Sequence, residues 1–138
     1  MKRILAIDYG FKRIGLAVSD PSQTIAGGLT TVSVEEIFVF LEQYTQKNPV
    51  EKFVIGLPKQ MNGADSEIVP QIHKFANQLA KLFPFAEIVY YDERFTSVLA
   101  HRAMLAGGLR QKSRRNKALV DKISATIILE DYLSNKKF

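Results

Sequence analysis

The amino-acid sequence predicts an α/β fold, in which a mixed central sheet carries helices on both faces. Three extended segments come first, and segments of extended and helical periodicity then alternate along the chain. An antiparallel meander followed by alternating β and α elements is typical of a mixed sheet covered on both sides. The chain has 138 residues, 46% of them hydrophobic, which is enough to form a packed core. We therefore expect one globular domain over residues 1–138.

The first three segments are predicted to be strands. An apolar run predicts the first strand over residues 3–8, and Gly10 marks a turn into a second strand over 14–19. The third strand is expected over residues 29–32, because β-branched residues there follow Gly27-Gly28, which we interpret as a break.

Helices and strands alternate in the rest of the chain. Ser33 is expected to cap the first helix, since Glu36 lies three residues later in the capping-box position. The further predicted elements are a buried strand over 53–55, an amphipathic helix from Asp65 to the residue before Pro84, a strand over 87–91, a helix that Thr96 or Ser97 opens and Gly107-Gly108 closes, and a last helix over about 117–133.

The composition excludes several classes of protein. Cysteine is absent, which excludes disulfides, Fe–S clusters and thiolate zinc sites and suits a reducing compartment, so a cytoplasmic location is expected. The apolar run over residues 4–7 is too short for a signal peptide. No segment approaches the roughly 20 apolar residues of a membrane helix, so we expect no membrane partner.

The charge predicts an anionic partner. The formal net charge is +5 and the pI is about 9.5. One short stretch without an acidic residue contains five cations, which could neutralise the phosphates of a nucleic acid or could lie on a solvated loop with no partner. These cations are Arg110, Lys112, Arg114, Arg115 and Lys117.

Two carboxylates follow predicted strands. Asp8 ends the first strand, at the kind of edge where α/β proteins present ligand-binding groups, and Gly10 allows a tight turn beside it. Glu93 follows the strand that ends at Tyr91 and lies next to Asp92 and Arg94. Each motif alone also fits an ordinary turn or a solvated strand end.

A third carboxylate lies on the last predicted helix. Asp121 shares a helix face with Ala125, Ile128 and Tyr132, which is otherwise apolar. An inward carboxylate must be protonated, hydrogen-bonded, paired or bound to a cation, because burying it bare costs several kcal/mol. A structural pair with Lys122 or Arg94 is the alternative to a metal.

Together, Asp8, Glu93 and Asp121 predict an all-oxygen site suited to Mg²⁺ or Mn²⁺, with two ions as the expected number. Cations held in this way activate a water and stabilise the leaving oxygen during displacement at phosphorus. We therefore hypothesise a catalytic site for phosphodiester hydrolysis. Lys12, Arg13 and Arg94 are additional candidates for contact with nucleic acid.

Four motifs, in order and spanning nearly the whole chain, carry a resemblance to a known family. They are Ile7-Asp8-Tyr9-Gly10 with residues 12–17, residues 54–58 with Asn62-Gly63, residues 92–97, and Val120-Asp121 with residues 127–129. The chain thereby resembles the YqgF family, also called RuvX or Holliday junction resolvase-like, described as pre-16S rRNA nucleases. It departs from the usual pattern of that family at Lys122, Ser124 and Glu130.

The resemblance implies an RNase H-like fold, metal-dependent nuclease activity and maturation of the 5′ end of 16S rRNA. It also implies that Asp8, Glu93 and Asp121 occupy the acidic positions. Branched DNA such as a Holliday junction is an alternative substrate, because contacts to a nucleic-acid backbone carry no base-reading signature.

Other functions stay open at this stage. A nucleic-acid-binding module with little catalysis is one, since only three acids are evident. An actin-like or sugar-kinase ATPase also carries an Asp-x-Gly strand, but the chain is too short for its two domains. The sequence leaves open whether the protein is a monomer or a homodimer.

Overall fold

A computed structural model describes residues 2–58, 66–93 and 113–136, with the side chains of the last helix described over 120–135. The helix predicted between Thr96 or Ser97 and Gly107-Gly108 lies outside the described residues. The elements in chain order are β1 (Arg3–Tyr9), β2 (Arg13–Ser19), β3 (Ala26–Ser33), α1 (Ile37–Lys47), β4 (Val50–Leu57), α2 (Val69–Leu82), β5 (Glu87–Asp92) and α3 (Ser113–Lys136).

The five strands form one mixed sheet in the order β3-β2-β1-β4-β5. The pairs β1–β2 and β2–β3 are antiparallel, and the pairs β1–β4 and β4–β5 are parallel. Antiparallel strands can be joined by tight turns, whereas parallel strands need a crossover, which α1 and α2 form here. The predicted mixed sheet is confirmed.

Alternation along β1 separates two cores on opposite faces of the sheet. Leu5 and Ile7 pack with α1 and α2, whereas Ile4 and Ala6 pack under α3. Both cores are almost fully excluded from water, which supplies the main favourable free energy of folding. The prediction of helices on both faces is confirmed, and the alternation assigns Asp8 to the face that α3 covers.

Two predictions about glycine and serine were wrong. β3 begins at Ala26 and continues through Gly27-Gly28, so these glycines do not break the strand. A β-carbon on Gly28 would lie 2.9 Å from Cγ of Lys122, so the glycine allows α3 to approach the sheet. Ser33 is paired with Arg13 at the end of β3, and no side chain caps α1, which begins after Glu36.

The last helix is longer than predicted. It begins at Ser113 rather than near Lys117, so Arg114, Arg115 and Lys117 belong to the start of α3 instead of a preceding loop. Lysine and arginine have high helix propensities, so the basic composition of this stretch is compatible with a helix. No helix in the described parts of the chain is both long and apolar enough to cross a membrane.

Candidate functional site

The neighbours of Asp8 in the sheet are glycines on both sides. Asp8 pairs with Gly15 of β2. On the other side Ile7 pairs with Ile55, so Asp8 and Gly56 are the next residues along β1 and β4. Paired residues in a sheet lie about 5 Å apart, and neither glycine has a side chain to fill the space beside the partly exposed Asp8.

The backbone of α3 occupies the space above Gly15. A β-carbon on Gly15 would lie 2.1 Å from the carbonyl oxygen of Asp121, a separation that real β-carbons essentially never show. A glycine inside a strand often marks such a close approach of another backbone. Gly15 therefore allows the backbone of Asp121 to lie against the sheet beside the strand pair Asp8–Gly15.

The carboxylate of Glu93 occupies the space above Gly56. A β-carbon on Gly56 would lie 3.1 Å from Oε1 of Glu93 and 2.6 Å from Cδ1 of Ile128. Glu93 follows the last residue of β5 and is only 1% exposed. A carboxylate buried to this degree needs hydrogen bonds, an ion pair, a proton or a cation to offset the loss of water.

Arg13 is the ion-pair partner of Asp121. Nε of Arg13 donates a hydrogen bond to Oδ2 of Asp121 at 3.0 Å, and the two side chains are 38% and 25% exposed. Asp121 is therefore at the rim of the core rather than inside it. The structural pair that the sequence suggested with Lys122 is not the one observed, because the side chain of Lys122 extends over Gly28. Arg94 lies outside the described residues.

The three predicted acidic residues thus lie near one another on the face of the sheet that α3 covers, but their side chains do not converge on one point. Asp8 lies in the middle, with Asp121 beyond Gly15 on one side and Glu93 beyond Gly56 on the other. Within residues 2–58, 66–93 and 113–136, no three histidine, cysteine, aspartate or glutamate side chains form a group that could hold a metal ion. One oxygen of Asp121 is engaged by Arg13 instead.

The turn between β1 and β2 borders this site. The backbone N–H of Gly10 donates to the carbonyl of Arg13 at 2.9 Å, and a β-carbon on Gly10 would lie 2.5 Å from that oxygen. The predicted tight turn is confirmed. An open pocket of about 280 Å³ lies against the turn and α3, lined by Gly10, Phe11, Lys12, Arg13 and Asp121.

The predicted basic residues are only partly located. Lys12 is exposed on the turn, and Arg13 lies beside it at the start of β2. Arg114, Arg115 and Lys117 belong to the first turns of α3, whose side chains are not described there. Arg110 and Lys112 lie outside the described residues.

Sequence reasoning placed Gly15 and Gly56 in the motifs of the family resemblance but gave neither a role beside the carboxylates. Both lie within apolar stretches of their strands, and a glycine in a strand interior indicates a bulge or a close approach. That signal could have found them. It could not have told which element approaches, because the elements above the two glycines, α3 and the end of β5, are distant in sequence.

The fold belongs to the RNase H-like class. A solved structure described as "T. thermophilus RuvC in complex with Holliday junction substrate" matches with a TM-score of 0.58 over 99% of this chain and 96% of that one. RuvC has an RNase H-like fold. The two sequences are 16% identical, so this likeness shows the fold alone.

The chain belongs to the RuvX family, described as Holliday junction resolvase, whose model matches residues 2–135. A Bacteroides thetaiotaomicron protein named "Putative pre-16S rRNA nuclease" is 59% identical over the full length of both chains. Proteins of the same name from Phocaeicola vulgatus and Flavobacterium johnsoniae are 57% and 51% identical; each alignment covers all of this chain and 99% and 100% of the relative. The resemblance found in the sequence motifs is confirmed.

Proposed function

We propose that this protein is a metal-dependent nuclease that hydrolyses a phosphodiester bond of precursor 16S rRNA during maturation of the 5′ end. We expect it to work in the cytoplasm as one domain over residues 1–138. Membership of the RuvX family and the names of its close relatives support this function. A pI of about 9.5 suits a polyanionic substrate.

The surroundings of Asp8 are the strongest structural support. Three carboxylate residues from β1, the end of β5 and α3 lie near one another on one face of the sheet, and Gly15 and Gly56 leave room for the backbone of Asp121 and the carboxylate of Glu93 to approach the sheet beside Asp8. A purely structural role for Asp8 would not require an acidic residue on both sides. Carboxylates brought near one another in this way could share a cation once their side chains turn towards it.

Asp8, Glu93 and Asp121 would hold Mg²⁺ or Mn²⁺, in a site for two ions. The donors fit such ions, because all are carboxylate oxygens and hard cations prefer oxygen ligands. A cation at Asp121 would compete with Arg13, which engages one oxygen of that carboxylate. When bound, such ions activate a water for attack on phosphorus and stabilise the leaving oxygen.

The basic side chains would place the substrate. Arg13, once released from Asp121, has a guanidinium that matches a phosphate in two parallel hydrogen bonds. Lys12 is exposed beside it and adds positive charge at the same turn. Arg94, Arg110, Lys112, Arg114, Arg115 and Lys117 would extend the phosphate-binding surface along the nucleic acid.

Branched DNA is the second candidate substrate. The description of the matching family, Holliday junction resolvase, favours it. Both substrates present phosphates to the same cations, so these contacts do not distinguish them. Both candidates share the same residues and the same chemistry.

A cleavage assay with both substrates tests the proposal. End-labelled RNA containing the extended 5′ end of 16S rRNA and a four-way DNA junction are incubated with Mg²⁺, Mn²⁺ or EDTA. We expect cleavage of the RNA that requires a cation, and none with Glu93→Gln, which keeps the shape of the side chain but removes its charge. Cleavage of the junction alone would favour the second substrate. Binding without cleavage would indicate a nucleic-acid-binding module, and cleavage in EDTA would contradict the metal site.

A further inference from the structure

Phe11 is an exposed aromatic residue on a fixed turn. It is 55% exposed at the tip of the connection between β1 and β2. Hydrogen bonds hold the turn on both sides of it, from the N–H of Gly10 to the carbonyl of Arg13 and from the N–H of Val34 to the carbonyl of Lys12. The ring is therefore presented on a defined backbone rather than on a loose loop.

The other aromatic residue of this hairpin behaves differently. Tyr9 packs its ring against Phe75 of α2, with 4.9 Å between ring centroids. Among the described residues, no ring contacts Phe11. Phe11 follows the end of β1 and lies outside both cores.

The surroundings of Phe11 distinguish it from an ordinary exposed apolar residue, which would need no explanation. Phe11 lines the same pocket of about 280 Å³ as Lys12, Arg13 and Asp121. One wall is thus an aromatic ring, and two others are cations beside a candidate metal ligand. Proteins that bind single-stranded nucleic acids combine these groups, with aromatic rings stacking on bases and cations tracking the backbone.

We propose that the pocket at residues 10–13 binds one unpaired nucleotide of the substrate, with its base stacked on Phe11 and its phosphate beside Lys12. This inference rests on the proposed nuclease function. A base inside a duplex offers no free face to a ring, so the subsite selects a nucleotide in a single strand. Stacking on Phe11 requires no particular base, because every base has an aromatic face.

The absence of tryptophan from the chain provides a direct test. Phe11→Trp introduces a single indole at the proposed stacking position, and its fluorescence reports a base that stacks on it. The probes are a ten-nucleotide single-stranded RNA and a blunt duplex of the same length, titrated in EDTA so that binding is measured without cleavage. We expect quenching by the single strand and little by the duplex.

Affinities of the variants measure the contribution of the ring. Phe11→Ala should weaken binding of the single strand by about 5- to 150-fold, the range found when one stacking residue is lost, and Phe11→Trp should restore it. Phe85→Ala is the matched control, because Phe85 is 54% exposed but lies at the other end of the strands. Phe85 precedes the start of β5, whereas Phe11 follows the end of β1, and the two strands run in the same direction. That variant should bind as the wild type does.

The outcomes separate this inference from the proposed function. If the wild type binds the single strand and Phe11→Ala binds it equally well, the stacking subsite is wrong while the nuclease proposal stands. Equal quenching by single strand and duplex would also contradict it. If the wild type binds neither this RNA nor the full-length substrates at low salt, the proposed function fails and the subsite with it.

Discussion

Nε of Arg13 donates a hydrogen bond to Oδ2 of Asp121 across 3.0 Å, which joins the start of β2 to α3 beside Asp8. Both side chains are partly exposed, and a pair of this kind contributes about 0–1 kcal/mol to stability. The pair matters more because it engages an oxygen of Asp121, which is a candidate metal ligand. Arg13 engages one oxygen of Asp121 and neutralises part of its charge, so it competes with a metal cation for the same carboxylate.

Replacing Arg13 should strengthen metal binding to the protein free of nucleic acid. We expect Arg13→Gln to bind Mn²⁺ up to about fivefold more tightly, because Asp121 no longer exchanges an ion pair worth up to about 1 kcal/mol. Calorimetric titration measures the affinity. Lys12→Gln removes the same charge from the adjacent residue without touching the pair. An equal gain in both variants would mean that only net charge matters.

Replacing Asp8 should separate catalysis from folding. We expect Asp8→Asn to abolish cleavage and leave the fold intact, because the change removes a metal-binding charge but conserves shape. Thermal unfolding and cleavage are measured on one preparation. Asp20→Asn is the control. Asp20 follows β2, which is antiparallel to β1, so it lies at the other end of the strands from Asp8, and this variant should keep full activity. Full activity in Asp8→Asn would remove Asp8 from the site.

Glycine should be essential at position 15. Gly15→Ala would put its β-carbon 2.1 Å from the carbonyl oxygen of Asp121, so α3 must shift, and we expect a loss of about 1–3 kcal/mol or more in the free energy of unfolding. Gly27→Ala, in β3, meets nothing within 4 Å and should be neutral or slightly stabilising. Urea denaturation compares the two. Equal stability would mean that α3 does not rest on β2 at this point.

These glycines also explain where sequence reasoning stopped. The strands around Asp8 were predictable, because alternation and turn residues are local signals. Gly27-Gly28 misled the prediction, because Gly28, which lies beneath Lys122 of α3, looks the same in sequence as a glycine that ends a strand. Ser33 misled it too, since its strand pairing with Arg13 overrode a local capping pattern.

The site was predictable residue by residue but not as an arrangement. Asp8 lies near the end of one strand and Glu93 follows another, and the sequence reveals both strands, so the position of these carboxylates at the strand ends could be predicted. The partner of Asp121 could not, because Arg13 is 108 positions away in the chain. Sequence proximity suggested Lys122, whose side chain extends over Gly28 instead. Contacts between distant elements decide the electrostatics here, and no local pattern contains them.

Asp20 should make the free energy of unfolding decrease as the pH becomes acidic. The backbone N–H groups of Ile25 and Thr24 donate to Oδ1 at 2.8 and 2.7 Å, and the Ser22 hydroxyl donates to Oδ2. The hydrogen bond from Ile25 foremost, then those from Ser22 and Thr24, hold the pKa of Asp20 well below its usual value. The stabilisation is therefore complete above the unfolded pKa of about 3.9 and is lost as pH falls towards the folded pKa.

Urea denaturation of the wild type and Asp20→Asn at several pH values checks this dependence. We expect the wild type to be the more stable protein at pH 7 and its advantage to shrink below about pH 4, where the Asp20 carboxylate of the unfolded chain starts to be protonated while that of the folded protein is still charged. Asparagine keeps the shape of the side chain but cannot titrate. A difference that stays constant from pH 7 to pH 3 would contradict the role of the charge.

The basic start of α3 should determine how nucleic-acid binding responds to salt. If Arg114 and Arg115 each neutralise one phosphate, replacing both with alanine should flatten the slope of log K against log salt by about 1.4 for single-stranded RNA and about 1.8 for branched DNA. Metal affinity should barely change, because guanidinium groups do not ligate cations. Lys47→Ala with Lys81→Ala removes the same charge from the ends of α1 and α2, across the sheet from α3, and should leave the slope unaltered. Slopes parallel to the wild type in the arginine variant would direct the substrate path to Lys12 and Arg13 instead.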